Sequence, residues 1–100
     1  MSAYFVLHNR IRDTRKLQEY IPKAIETMAP FNAQVLVLDE NSQVIEGRTD
    51  LPRTIIIRFN SRDDAMAWYH SLGYRAVLPL RLDATEGFAV LVDEFVPSGP

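Results

Sequence analysis

Four stretches of the chain carry apolar and β-branched residues in short runs bounded by turn formers, and between them apolar residues recur three and four positions apart. Ala3-Tyr4-Phe5-Val6-Leu7-His8-Asn9 opens the chain as a strand, with Tyr4, Val6 and His8 on one face and Ala3, Phe5, Leu7 and Asn9 on the other. Both faces are largely apolar, which places this strand at the centre of its sheet. Asp13-Thr14 caps a helix whose inner stripe is Leu17, Tyr20, Ile21, Ala24, Ile25 and Met28. Pro22 predicts a kink or short break in that helix, and Pro30 its end. Ala33 to Asp39 is a second strand, turned by Asp39-Glu40-Asn41-Ser42, and Gln43 to Glu46 reads as a short continuation closed by Gly47.

The densest stretch is Arg53 to Tyr74. Thr54 to Phe59 forms a mostly buried strand, with Ile55, Ile57 and Phe59 on one face and Thr54, Ile56 and Arg58 on the other. Ser61 with Asp64 three residues on approximates a capping box, so a helix begins there. Its inner stripe is Ala65, Trp68, Tyr69 and Leu72, and Gly73 is the expected stop. Tyr74 to Leu82 has helical spacing at Ala76, Val77 and Leu80, with Pro79 predicting a short or kinked element. A last strand runs from Phe88 to Phe95 after Gly87. Residues 1–96 are expected to make a single domain, and Pro97-Ser98-Gly99-Pro100 a flexible tail.

The resulting order, β-α-β-β-α-β, is that of an α+β, ferredoxin-like fold: an antiparallel sheet with both helices on one face. The strands carry apolar residues on both sides, yet the helices cover one side only. A second copy of the chain is the simplest cover for the other, so the pattern predicts a homodimer packed through its sheet faces.

Composition adds exclusions. Of the 100 residues 47% are hydrophobic and 24% charged, ordinary values for a globular domain. A net charge of −2 with scattered cations gives no footprint for nucleic acid or an anionic membrane. No apolar run is long enough to span a bilayer and no signal peptide stands at the start, so the expected location is cytoplasmic. With no cysteine there is neither a disulfide nor a thiol nucleophile, and with only two histidines neither a metal site nor a bound cofactor is expected. Nothing matches a phosphate-cradling glycine loop, a nucleophile elbow or a dinucleotide fingerprint.

Several short motifs recur in one order: Ile45-Glu46-Gly47, Pro52-Arg53, Arg58-Phe59-Asn60-Ser61, Ala65-Met66-Ala67-Trp68-Tyr69-His70-Ser71, Tyr74 and Leu80-Arg81. From Ala3 to Asp93 the chain resembles the DUF1330 family of uncharacterised bacterial proteins, in the dimeric α/β-barrel superfamily. The resemblance implies a ferredoxin-like protomer and a dimer whose sheets form a barrel; it implies no particular reaction. His8 stands where members often carry an acidic residue, Arg58 where many carry Glu, and Asn32-Ala33 where a Gly pair is usual. A family proton-transfer role for those carboxylates does not carry over. Asn32 tolerates the left-handed backbone that such a turn needs.

The candidate catalytic residues are His8, Arg58 and Tyr69, and the candidate ligand-binding residues are Glu46, Arg53, Trp68, Tyr74 and Arg81. His8 is a general base or ligand in a cavity, or else a hydrogen-bonded histidine of a core or interface. Arg53 and Arg81 offer planar forks for a carboxylate or phosphate, or else pair with Glu46, Asp83 or Glu86. Arg58 meets an anion between the sheets, or else pairs with Asp93, Glu94 or Glu46. Tyr69 and Tyr74 present hydroxyls to a ligand, or are satisfied inside the core. Two functions follow: a small-molecule binder or enzyme taking an organic acid or aromatic compound in a barrel-type pocket lined by His8, Arg53, Arg58, Tyr69 and Tyr74, or a non-catalytic homodimeric interaction or metabolite-sensing module.

Overall fold

The computed structural model describes residues 1–98. Its strands are β1 (Ala3–Ile11), β2 (Gln34–Asp39), β3 (Arg53–Phe59) and β4 (Thr85–Asp93), and its helices α1 (Thr14–Glu26), α2 (Arg62–Tyr69) and α3 (Leu72–Ala84). A 3₁₀ turn, Ala29–Phe31, follows α1. The strands lie in the order β2-β3-β1-β4 with every neighbouring pair antiparallel. This is the ferredoxin-like α+β architecture, and β1 is central as its two apolar faces predict.

Alternation assigns the faces. Phe5 and Leu7 of β1 stand opposite Ile57 and Ile55 of β3, and with Phe59 they meet Leu17, Tyr20, Ala24, Trp68, Tyr74 and Leu78 of the helices in one core. Trp68 holds this core together. Its ring lies against Phe5, Phe59 and Tyr74, the last at 3.9 Å between centroids, and its Nε1 donates to Thr27 Oγ1 at 2.9 Å, tying α2 to the end of α1. Caps fix the helix starts: Asp13, Ser61 and Ser71 each accept a backbone N–H three residues on.

The structure departs from the sequence reading at several points. Gln43 to Glu46 forms no strand; residues 40–52 are an irregular loop held by Ser42 N–H to Pro52 O. Gly73 does not end a helix. The chain breaks earlier, at His70, because the Ser71 hydroxyl starts α3 two residues before Gly73, which lies in its first turn. Leu72 consequently leaves the inner stripe and is 90% exposed. In α3 the buried stripe is Tyr74, Leu78, Arg81 and Ala84, with Val77 and Leu80 partly buried beside it and Ala76 exposed. Pro22 and Pro79 both sit inside continuous helices, with no break, and α1 ends at Glu26, ahead of Pro30. β4 begins at Thr85 and includes Gly87, where a Cβ would collide with the backbone oxygen of His8 on β1. Asn32 takes the left-handed backbone expected of it, at φ 54°. Of the tail expected over residues 97–100, the last two lie outside the described residues.

Candidate functional site

Between the sheet and the helices lies a cavity of about 130 Å³, close to the volume that lets an engineered apolar cavity take up benzene, about 150 Å³. Most of its wall is aliphatic and aromatic, Trp68 and Tyr74 included, and the half-exposed Ile25, Val35 and Leu38 form its rim between α1 and β2. Four polar side chains interrupt this wall besides Tyr74: Asn9, Tyr20, Arg53 and Arg81.

Arg53 is the first residue of β3, and its alternation with Ile55 and Ile57 turns it to the helix side, where it is 3% exposed. Directly across the ladder is Asn9 of β1, whose Oδ1 accepts from Arg53 Nη1 at 2.8 Å. Glu40 Oε2 lies 3.4 Å from Arg53 Nε, but without the alignment of a hydrogen bond, so the Nε hydrogen is buried with no acceptor. Glu40 is itself largely exposed and solvent weakens the attraction.

Arg81 reaches the same cavity from the last turn of α3 and is 8% exposed. Its Nε donates to Tyr74 Oη at 3.2 Å, and Tyr74 Oη is 2.6 Å from Tyr20 Oη on α1. No carboxylate among the described residues lies within ion-pair distance of Arg81. The counter-charges suggested by the sequence are engaged elsewhere: Asp83 with Lys16 and Glu86 with Arg10. Burial opposes the charge on Arg81, yet the neighbouring tyrosine hydroxyls outweigh it and raise its pKa. Burial, with Tyr74 beside it, raises the pKa of Tyr20, so its hydroxyl stays protonated. The cavity thus holds two guanidinium ions and no acidic side chain.

The residues expected to share one pocket fall on two sides of the sheet. Arg53, Trp68, Tyr74 and Arg81 line the helix-side cavity. Tyr69 packs beside it, its ring 5.9 Å from Tyr74 and 5.8 Å from Phe5. His8 is on the opposite, helix-free face, with Nδ1 3.2 Å from Thr54 Oγ1, which is 2.6 Å from Ser42 Oγ. These groups, with Glu46 and Phe88, line a shallow groove under the 40–52 loop. Arg58 is also on the helix-free face, opposite Tyr4, and its Nη1 donates to Asn60 Oδ1 at 3.3 Å. None of its expected partners reaches it; Asp93 pairs with Arg62 and Glu94 with the Ser2 backbone. The sheet therefore stands between His8, Glu46 and Arg58 on one side and Arg53 and Arg81 on the other. Two residues of the cavity were missed. Asn9 and Tyr20 both stand on core-facing stripes in the sequence, and a polar tip on such a stripe was the available signal. Among the described residues no group of three or more His, Cys, Asp and Glu side chains is placed to hold a metal, and no helix is long and apolar enough to cross a membrane.

A family model described as "Domain of unknown function (DUF1330)" matches residues 2–95. No curated protein matches in sequence. Among solved structures, a protein of unknown function from Rhodopseudomonas palustris superposes with a TM-score of 0.81 at 12% identity, over 96% of this chain and 84% of that one. SnoaB, a cofactor-independent oxygenase from Streptomyces nogalater, superposes at 0.68 with 10% identity, over 96% and 95% of the two chains. A dimeric ferredoxin-like protein of unknown function from Thermobifida fusca gives 0.63 at 14% identity, over 94% and 92%. At these identities the likeness is one of fold.

Proposed function

The chain belongs to the family described as a domain of unknown function, DUF1330, and from that premise we propose that its helix-side cavity binds a small organic acid as an anion with an apolar body of about one ring. One observation carries this reading. Arg53 and Arg81 are both more than nine-tenths buried on the cavity wall, and no acidic side chain lines the cavity with them. Burying a charge is costly; Arg81 has no carboxylate partner and Arg53 only the largely exposed Glu40, and an anionic ligand would neutralise both. Trp68, Tyr74 and the aliphatic wall suit the rest of such a ligand. One fold relative, SnoaB, is an oxygenase; turnover in this cavity would extend the binding reading and would appear as consumption of the bound compound.

The assembly belongs to the same proposal: two copies pack through their helix-free sheet faces. That face presents Val6, Ile56 and Val37 beside Phe88, Val90 and Val92, the last three exposed, a contiguous apolar surface of the kind that marks an interface. Its fold relatives include proteins described as dimeric.

A thermal-shift titration with benzoate, with benzamide as the uncharged counterpart, tests the ligand. Binding at a hundredfold excess over Kd stabilises by about 2.7 kcal/mol, a rise of several degrees in Tm. Benzoate is expected to produce the rise and benzamide not. Arg53→Met and Arg81→Met should each erase it in a protein that still folds, at a Tm somewhat below wild type because Asn9 Oδ1 and Tyr74 Oη each lose a buried donor. Equal shifts with both compounds would rule out recognition of charge. No shift with any single-ring acid, from a folded dimer, would move the weight to the non-catalytic interaction module.

A further inference from the structure

The direction of the hydrogen bonds around the cavity says what kind of acid it takes; this step rests on the cavity being the ligand site. A guanidinium can only donate. Arg81 Nε therefore donates to Tyr74 Oη, which lies 2.6 Å from Tyr20 Oη in a bond that either hydroxyl can donate. With Tyr74 as the donor, the hydrogen of Tyr20 is the free end of the chain Arg81, Tyr74, Tyr20, and Tyr20 lines the cavity. The other wall works in the same way. Because Arg53 Nη1 donates to Asn9 Oδ1, the amide oxygen of Asn9 faces the guanidinium and its NH₂ points away, while Arg53 Nε keeps a buried hydrogen without an acceptor. With that direction each wall ends in a donor. No carboxylate or imidazole lines the cavity to accept a proton or a hydrogen bond from a ligand.

A neutral hydroxyl entering such a site keeps its own hydrogen facing donors, whereas the same group without its hydrogen accepts from all of them. We propose that the cavity takes weak organic acids as their conjugate bases, single-ring phenols and enols as well as carboxylic acids, with Tyr74 donating to Tyr20 and the Tyr20 hydroxyl as the terminal donor to the ligand oxygen. Only the O–H bond of the ligand breaks; its proton passes to solvent buffer, and the oxygen keeps the electron pair. Tyr20 is suited to this role because burial keeps its hydroxyl protonated.

The test uses 4-nitrophenol, whose phenolate absorbs in the visible and whose neutral form does not. The full chain is titrated into the phenol at a pH where the free compound is mostly neutral, with benzoate binding followed in parallel by thermal shift. The phenolate band is expected to grow on binding, with the bound phenol ionising at a proton concentration about tenfold higher than the free one, the effect of one charge-assisted hydrogen bond. Tyr20→Phe should remove most of that gain and weaken benzoate binding without abolishing it, since both guanidinium ions remain, and Arg53→Met, on the other wall, should reduce the phenolate gain as well. Binding of the phenol in its neutral form, with benzoate still bound, would overturn this inference and leave the anion site standing. An undiminished phenolate band in Tyr20→Phe would overturn the assignment to Tyr20. Failure of both compounds to bind would overturn the inference together with the reading on which it rests.

Discussion

The two faces of the sheet use the same strands and the same alternation to opposite ends. Odd-numbered residues of β1 and β3 meet the helices, and there Phe5, Leu7, Ile57 and Phe59 are buried around Trp68. Even-numbered residues face away; Val6, His8 and Ile56 are partly covered by their neighbours, and Val90 opposite Val6 remains 44% exposed. Charge divides in the reverse sense to expectation. On the buried side Arg81 has no carboxylate and Arg53 only the largely exposed Glu40 at 3.4 Å, whereas on the open side Arg10 pairs with Glu86 at the margin and Arg58 meets the Asn60 amide. A buried charge left without a carboxylate points to something that arrives later, whereas an exposed pair is at rest.

The largest difference between the faces should appear on truncation. Trp68→Ala removes a fully buried ring, its three aromatic neighbours and the bond to Thr27, and should cost about 3–5 kcal/mol in chemical denaturation. A loss under 1 kcal/mol would mean that Trp68 does not organise the core. On the open face, Val90→Asp should leave each protomer folded and abolish the dimer. Light scattering should report the chain mass of 11.5 kDa for the variant and twice that for the parent. A monomeric parent would remove the reason to call the open face an interface.

Much of this contrast is legible in the sequence. Two-residue periodicity separates Phe5 and Leu7 from Val6 and His8 without any coordinates, and the same count carried back one step from Ile55 puts Arg53 on the core face. Arg81 is harder to place. The helical stripe of α3 depends on where the helix starts, and Gly73 reads as a stop when the neighbouring Ser71 is the cap that decides the matter. A stripe counted from Tyr74 runs through Leu78 to Arg81, whereas the spacing at Ala76, Val77 and Leu80 does not single Arg81 out. His8 and Arg58 resemble Arg53 as polar residues on apolar strands, yet alternation itself puts them on the other face. The bonding of Tyr20 to Tyr74 lies beyond the sequence, since the two are 54 positions apart and meet only when α1 packs on α3.

Two smaller effects separate the faces by pH. Tyr20 belongs to the buried side, and its folded pKa is raised by burial and by Tyr74. A tyrosine whose folded pKa is raised contributes stability that is complete below the unfolded value, about 10, and is lost as pH rises above it. Wild type should therefore lose Tm above about pH 10 more steeply than Tyr20→Phe. Parallel curves would show that the phenol is not held in its protonated form.

Glu86 belongs to the open side and behaves in the opposite sense. Arg10, 2.6 Å away across the β1–β4 ladder, lowers its pKa by hydrogen bond and charge. A depressed folded pKa gives stability that is present above the ordinary Glu value, about 4.3, and disappears as pH falls through the folded value. Glu86→Gln should thus lower Tm slightly at pH 7 and converge with wild type in acid. Because both partners are exposed, salt at about 1 M, where screening acts over about 3 Å, should erase the difference at neutral pH. The same salt should leave the alkaline loss assigned to Tyr20 largely in place, because burial and not a solvated charge causes that shift. If salt removed both effects alike, the Tyr20 hydroxyl would be open to water, and the two faces would differ in packing but not in electrostatic environment.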